Sequence, residues 1–149
     1  MTFKHKIHTH YSLLVQDKID VFRDMIVSLT EDSKNDAKGS AGDKHETALS
    51  MMHIEQEKIN RKLAEILAQK SILDKINSSV ISNKISLGSL VQTNGMLLYI
   101  STALPKISID NKSIIAVSSQ SPLGNKLMGN EVGFQFEINS TKYLVEAIF

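Results

Sequence analysis

The sequence predicts an α+β chain in two parts. Residues 1–77 read as an N-terminal antiparallel coiled-coil hairpin, and residues 78–149 as an antiparallel β-sheet domain with one short helix. Three observations carry this. Residues 1–77 contain no Pro and keep their two Gly residues, Gly39 and Gly42, close together, whereas 78–149 hold both Pro residues and five of the seven Gly. Before the divide, apolar residues recur at helical spacing. After it, β-rich runs alternate with turn pairs such as Asn94-Gly95. Helices followed by strands, rather than alternating with them, argue for separate helical and sheet parts.

In the first helix Ile7, Tyr11, Leu14, Val21 and Met25 follow a 4-3 pattern, with Lys18 interrupting it, and Phe22, Ile26 and Leu29 widen the stripe. In the second, Met52, Ile59, Leu63, Ile66 and Leu73 continue the spacing, with Gln56 and Lys70 in the intervening slots. An apolar seam every ~3.5 residues on two adjacent helices suggests a coiled-coil hairpin. The run HIEQEKINRKLAEILAQKSILDKI is rich in strong helix formers. A helix of about 30 residues would make a rod on the order of 45 Å at ~1.5 Å per residue. Between the helices, EDSKNDAKGSAGD has the Ser, Asn, Asp and Gly of a turn. Near the start of the chain, His5 and His8 have the i,i+3 spacing of a metal pair, but no local acid joins them. A frayed polar terminus is the expectation there.

The second part begins with SVISNKISLGSLVQTNGMLLYIST, strand-like pieces broken at Leu87-Gly88 and at Asn94-Gly95. Next, KISID and SIIAVS are expected to pair across Asn111-Lys112. Ser121 caps a short helix, Pro122 suits its first turn, Leu123, Leu127 and Met128 form its face, and Gly129 ends it. A hairpin over VGFQFEI and YLVEAIF closes the chain, giving five or six antiparallel strands.

Composition narrows the function classes. The chain has 149 residues, 42% of them apolar, and a formal net charge of +1, so there is no whole-chain electrostatic case for gripping nucleic acid. It has no Cys, which removes disulfides, zinc ribbons and thiol chemistry. No apolar run approaches the ~18–20 residues of a membrane helix. No P-loop, dinucleotide fingerprint or nucleophile elbow occurs. A mature, soluble, cytoplasmic protein with no membrane partner is expected. A hairpin satisfies its own seam, so a monomer is expected too.

SAGDKHETA, residues 40–48, holds two carboxylates, Asp43 and Glu46, three residues apart. If Asp43 is the N-cap, Glu46 falls at the reciprocal capping-box position; Ser40 is the other candidate cap. Two carboxylates one turn apart can also share a hard cation such as Mg²⁺. Two ligands are too few to close a site, so the pair makes sense as half a site that another macromolecule completes. Such a metal would activate water for phosphodiester hydrolysis.

SIIAVSSQSPLGNKLMGNEVGFQFEI followed by STKYLVEAI resembles the closing segment of the Gre family, bacterial transcript-cleavage elongation factors. Ser121, Pro122, Leu123, Gly124, Leu127, Gly129, Val132, Gly133 and Tyr143 stand where that pattern expects them. Gly42, Asp43 and Glu46 match the family's Gly-Asp-x-x-Glu motif at the coiled-coil tip. The resemblance implies an FKBP-like C-terminal domain and RNA polymerase as the partner. It implies a tip that enters the polymerase secondary channel, and acids that help hold a second Mg²⁺ with the polymerase's own carboxylates, not alone. The water so activated cuts the 3′ end of a backtracked transcript, so contact with nascent RNA is indirect. The chain would then be no enzyme itself but would stimulate the polymerase's endonucleolytic activity. Docking at the channel rim is expected around Ser121, Pro122, Leu123 and Gly124. Departures exist: TALSMM follows Glu46 where the family has an Asn-Ala-Glu-Tyr-like run, and Phe134 replaces a common Asp. A non-cleaving Gre-like channel regulator or inhibitor is therefore the alternative. A prolyl isomerase or chaperone, and a coiled-coil adaptor whose acids are only caps, are the readings from other classes.

Overall fold

The computed structural model describes the backbone of residues 1–39 and 43–149, and side chains over 1–32 and 47–149. Two long helices, α1 (Phe3–Gly39) and α2 (Asp43–Asp74), precede strands β1 (Leu90–Thr93), β2 (Met96–Ser101), β3 (Ile107–Ile109) and β4 (Lys112–Ser118). The short helix α3 (Pro122–Leu127) follows, then β5 (Gln135–Ile138) and β6 (Thr141–Ile148). This is the α+β layout expected. The chain forms two compact units, one of residues 13–70 and the other of residues 1–12 with 71–149. The composition divide near residue 77 and the compact units thus fall at different points. The first turns of α1 and the end of α2 belong to the sheet unit.

In the helical unit, the buried stripe of α1 is Val15 and Ile19, continued by half-buried Phe22, Ile26 and Leu29. The expected seam through Val21 and Met25 is corrected: they are 51% and 45% exposed. A helix with apolar residues at 13, 14, 15, 19, 21, 22, 25, 26, 27 and 29 supports more than one phase. The phase adopted leaves Lys18 beside the seam rather than inside it. On α2 the expected register stands: Ile59 and Ile66 are buried, and Met52, Gln56, Leu63 and Lys70 on the same stripe are half-buried. The Gln56 amide donates to Thr30 Oγ1 at 3.2 Å, a polar tie between the two helices.

The sheet has six strands in the order β3-β4-β2-β1-β6-β5. It is antiparallel except for one pair: β2 and β4 run parallel, from Leu97 opposite Ile114 to Ser101 opposite Ser118. The antiparallel sheet expected is present, with this one parallel pair within it. Two antiparallel hairpins, β1-β2 and β3-β4, are joined side by side through β2 and β4. The stretch before Leu90, read as strand-like, forms turns instead.

Each hairpin turns on two residues in the left-handed region. Asn94 and Gly95 do so between β1 and β2 (φ 51° and 74°), Asp110 and Asn111 between β3 and β4 (53° and 63°), and Asn139 and Ser140 between β5 and β6 (50° and 67°). Positive φ at both central positions matches strand twist, and Asn, Asp and Gly tolerate it best. The second turn comes one residue earlier than expected, and the third needs two residues rather than four. Asn94 does more than turn. Its amide donates to Lys142 O at 2.8 Å and its Oδ1 accepts from Leu144 N at 3.3 Å, which ties the turn to β6. Beside it the register of β1 on β6 shifts between Gln92 and Thr93, and Thr93 Oγ1 donates to Leu144 O at 2.7 Å.

One face of the sheet holds a core of Val91, Leu98, Ile100, Val117 and Val145, closed by Leu127 of α3 and by Ile85. The other face receives the first turns of α1, which belong to the same unit. Tyr11 stacks flat on Tyr99, with centroids 6.1 Å apart and planes within 1°. The frayed terminus expected is therefore corrected, since α1 is helical from Phe3 and Ile7 and Tyr11 are fully buried.

Candidate functional site

Asp43 and Glu46 belong to the first turn of α2. α2 opens at Asp43. The side chains of Asp43 and Glu46 lie outside the described residues, as do those of Lys34, Lys38 and Lys44 nearby. Beyond them α2 is described from Thr47 onward, and Met51 and Ile54 are exposed there at 66% and 58%. As a donor set, two carboxylates one helical turn apart offer hard oxygen, the chemistry Mg²⁺ takes, with too few ligands to enclose it. Among the described residues no cluster of three His, Asp or Glu could hold a metal ion.

The expected docking residues form one compact device. Ser121 is the N-cap of α3: its Oγ accepts from Gly124 N at 3.0 Å and donates to Ser118 O at 2.7 Å. Pro122, the first helical residue, is exposed. Leu123 packs half-buried against the core, and Gly124 is buried. A Cβ on Gly124 would stand 1.9 Å from Ser118 O, so only glycine lets α3 approach β4 this closely. Three of the four residues are thus accounted for by local packing and capping, and Pro122 presents the exposed surface. Gly129, with φ 81°, follows α3 and donates its N–H to Ile85 O at 2.8 Å. That fixes the end of the motif to the loop before β1.

The N-terminal histidines form no metal pair with each other but bond into the sheet unit. His5 Nδ1 lies 2.7 Å from Ser78 Oγ, and His8 Nδ1 lies 2.8 Å from Tyr99 Oη. Burial holds the His8 imidazole below its ordinary pKa, and His5 nearby adds to this while Asp74 opposes it. Tyr11 Oη donates to Pro105 O at 2.8 Å, and burial pushes that phenol up to about 12. Tyr99 is pushed up as well, by burial first and then by Tyr11. Lys4, 7% exposed, donates to Val80 O at 2.6 Å and to Phe149 O at 3.1 Å. Its ammonium is destabilised by burial. No sequence signal marked these contacts, because residues more than 70 positions apart meet only after folding.

No helix among the described residues is long and apolar enough to cross a membrane. No family model matches the chain, and no curated protein does. Among solved structures, one similar chain is the transcription factor Gfh1. It is 19% identical, over 92% of each chain, with a TM-score of 0.35.

Proposed function

We propose that this protein is a Gre-like transcription factor that binds RNA polymerase, inserts the turn of its helical hairpin into the secondary channel, and stimulates cleavage of backtracked transcripts. One coincidence supports the reading. The Asp43 and Glu46 of the Gly-Asp-x-x-Glu motif open α2, the second of two successive helices of 37 and 32 residues. The SPLG segment that resembles the same family's docking region stands in the sheet unit as the cap and first turn of α3.

In this reading Asp43 and Glu46 hold Mg²⁺ jointly with polymerase carboxylates, and that ion supplies charge neutralisation and a water of lowered pKa. The residues of this chain contribute position. Asp43 and Glu46 stand three residues apart in the first turn of α2, where the positive end of the helix dipole favours negative charge. Neither acid alone completes a site, so the protein has no nuclease activity of its own.

The experiment is transcript cleavage in purified backtracked elongation complexes with Mg²⁺, together with polymerase binding. The Asp43→Asn/Glu46→Gln variant is expected to bind polymerase as the native chain does and to lose cleavage by at least tenfold. Equal cleavage by both, or no polymerase binding by either, would refute the proposal.

A second reading is favoured by the residues just beyond the acids. Thr47, Ala48, Leu49 and Ser50 follow Glu46 where the family carries its Asn-Ala-Glu-Tyr-like run, and Met51 and Ile54 just beyond them are exposed. An apolar flank suits a factor that occupies the channel and inhibits without cleaving. Polymerase binding with slowed elongation and no cleavage by the native chain is its signature.

A further inference from the structure

A cavity of about 790 Å³ opens in the sheet unit, between the start of α1, the strand ends around the Asn94-Gly95 turn, and residues 78–81. All the residues lining it belong to that one unit. Its walls are mainly apolar, with Phe3, Leu97, Met96 and Ile115 among them. Ile81, 77% exposed, stands at its edge. The ionisable side chains in the lining are Lys4, Lys106 and Lys112, all of one sign. Lys112 Nζ sits 5.2 Å from the centre of the Phe3 ring, so a cation is held against the apolar wall itself. Lys4 spends two donors on Val80 O and Phe149 O, which leaves its third N–H without an acceptor among the described residues.

Small-molecule sites occupy roughly 300–1,000 Å³ and combine apolar walls with a few placed polar groups. A neutral ligand would gain the apolar burial but offer no acceptor to Lys106, to Lys112 or to the third N–H of Lys4. A cation would be repelled. From this apolar volume and its single-sign lysine lining, we propose that the cavity binds a small amphipathic anion: an alkyl or aromatic body with one carboxylate or phosphate head. The body displaces water from the wall of Phe3, Met96 and Leu97, and the head pairs with the lysines. A charge-assisted hydrogen bond between ammonium and carboxylate is worth roughly 1.5–3 kcal/mol net, which is about a tenfold gain or more over the neutral analogue.

The test is isothermal titration of the full chain with decanoate, decanol, decyl phosphate and inorganic phosphate. A Lys106→Glu/Lys112→Glu variant runs in parallel. Both lysines are exposed, so the variant is expected to melt within a few degrees of the native protein. Decanoate or decyl phosphate should bind at least tenfold tighter than decanol, and whichever binds tighter names the head group. Inorganic phosphate should bind weakly or not at all. In the variant the anion's advantage over decanol should disappear while decanol binding stays. Equal binding of decanoate, decyl phosphate and decanol, or unchanged anion affinity in the variant, would overturn the proposal. So would tighter binding of an alternating Leu-Glu peptide than of either anion, which would assign the cavity to a protein segment instead.

Discussion

Replacing Gly124 by alanine tests how the Ser121–Gly124 segment is built. The added Cβ would lie 1.9 Å from Ser118 O, 2.8 Å from Ser118 C and 3.0 Å from Ser119 Cα, all backbone atoms. No side-chain rotation relieves such a contact, so α3 and the β4 end must separate by about 1.5 Å before ordinary contact distances of 3.4 Å return. Overpacking of this kind costs ~1–3 kcal/mol. The same movement stretches the Ser121 cap on Gly124 N, now 3.0 Å, and a lost N-cap costs ~1 kcal/mol. Alanine's helix propensity returns ~1 kcal/mol. The net expectation is a loss of about 2 kcal/mol, which for a unit of this size is a fall in Tm of ~8–16 °C. Thermal and urea unfolding followed by circular dichroism measures it. Asn125→Ala, exposed on the same helix, is the control and should stay within ~0.5 kcal/mol of the native protein. If Gly124→Ala is as stable as that control, the close approach of α3 to β4 is not what requires the glycine.

Other outcomes follow from the same structure. Ile19→Ala should cost about 2–4 kcal/mol and Val21→Ala under ~0.5, since Ile19 is 1% exposed and Val21 51%; equal losses would return the seam to the other phase. His8 has its folded pKa below the ordinary ~6.5, so protonation favours the unfolded chain. Stability is then complete above about pH 6.5 and falls as pH drops below it, and His8→Gln should flatten that part of a stability-pH curve. Tyr11 titrates near 12 in the folded protein against an ordinary 10, so its contribution is complete below pH 10 and is lost as pH rises from 10 through 12. Tyr11→Phe should reduce this alkaline slope, leaving the share that buried Tyr99 contributes, and cost ~1 kcal/mol at neutral pH through the lost bond to Pro105 O.

Local chemistry made much of the sheet unit legible. Asn94-Gly95 specified a hairpin because both residues accept positive φ, and Ser121-Pro122 with Gly129 bracketed α3 because cap, first-turn proline and terminal glycine each act within one turn of the chain. The second helix was legible because its seam residues had few apolar competitors. The first was not: Val15 and Ile19 compete with Leu14 and Val21, and only packing chooses between the phases. The parallel pairing of β2 with β4 was hidden because each strand already had a hairpin partner, and nothing local says which free edge joins which. The N-terminal turn looked polar, yet Tyr11 and Ile7 are buried and His5, His8 and Lys4 bond to residues far along the chain. Of the candidate site, spacing marks Asp43 and Glu46 as a pair one helical turn apart, and their side chains lie outside the described residues.

The central claim is that the hairpin turn enters the polymerase active-site channel. A photo-crosslinker placed at Ala48, on α2 five residues beyond Asp43, reports this directly in backtracked elongation complexes. The account predicts crosslinks to the extruded transcript 3′ end and to polymerase residues lining the secondary channel, lost when excess native protein competes. Crosslinks confined to the outer surface of the polymerase, or to a second copy of this chain, would contradict it.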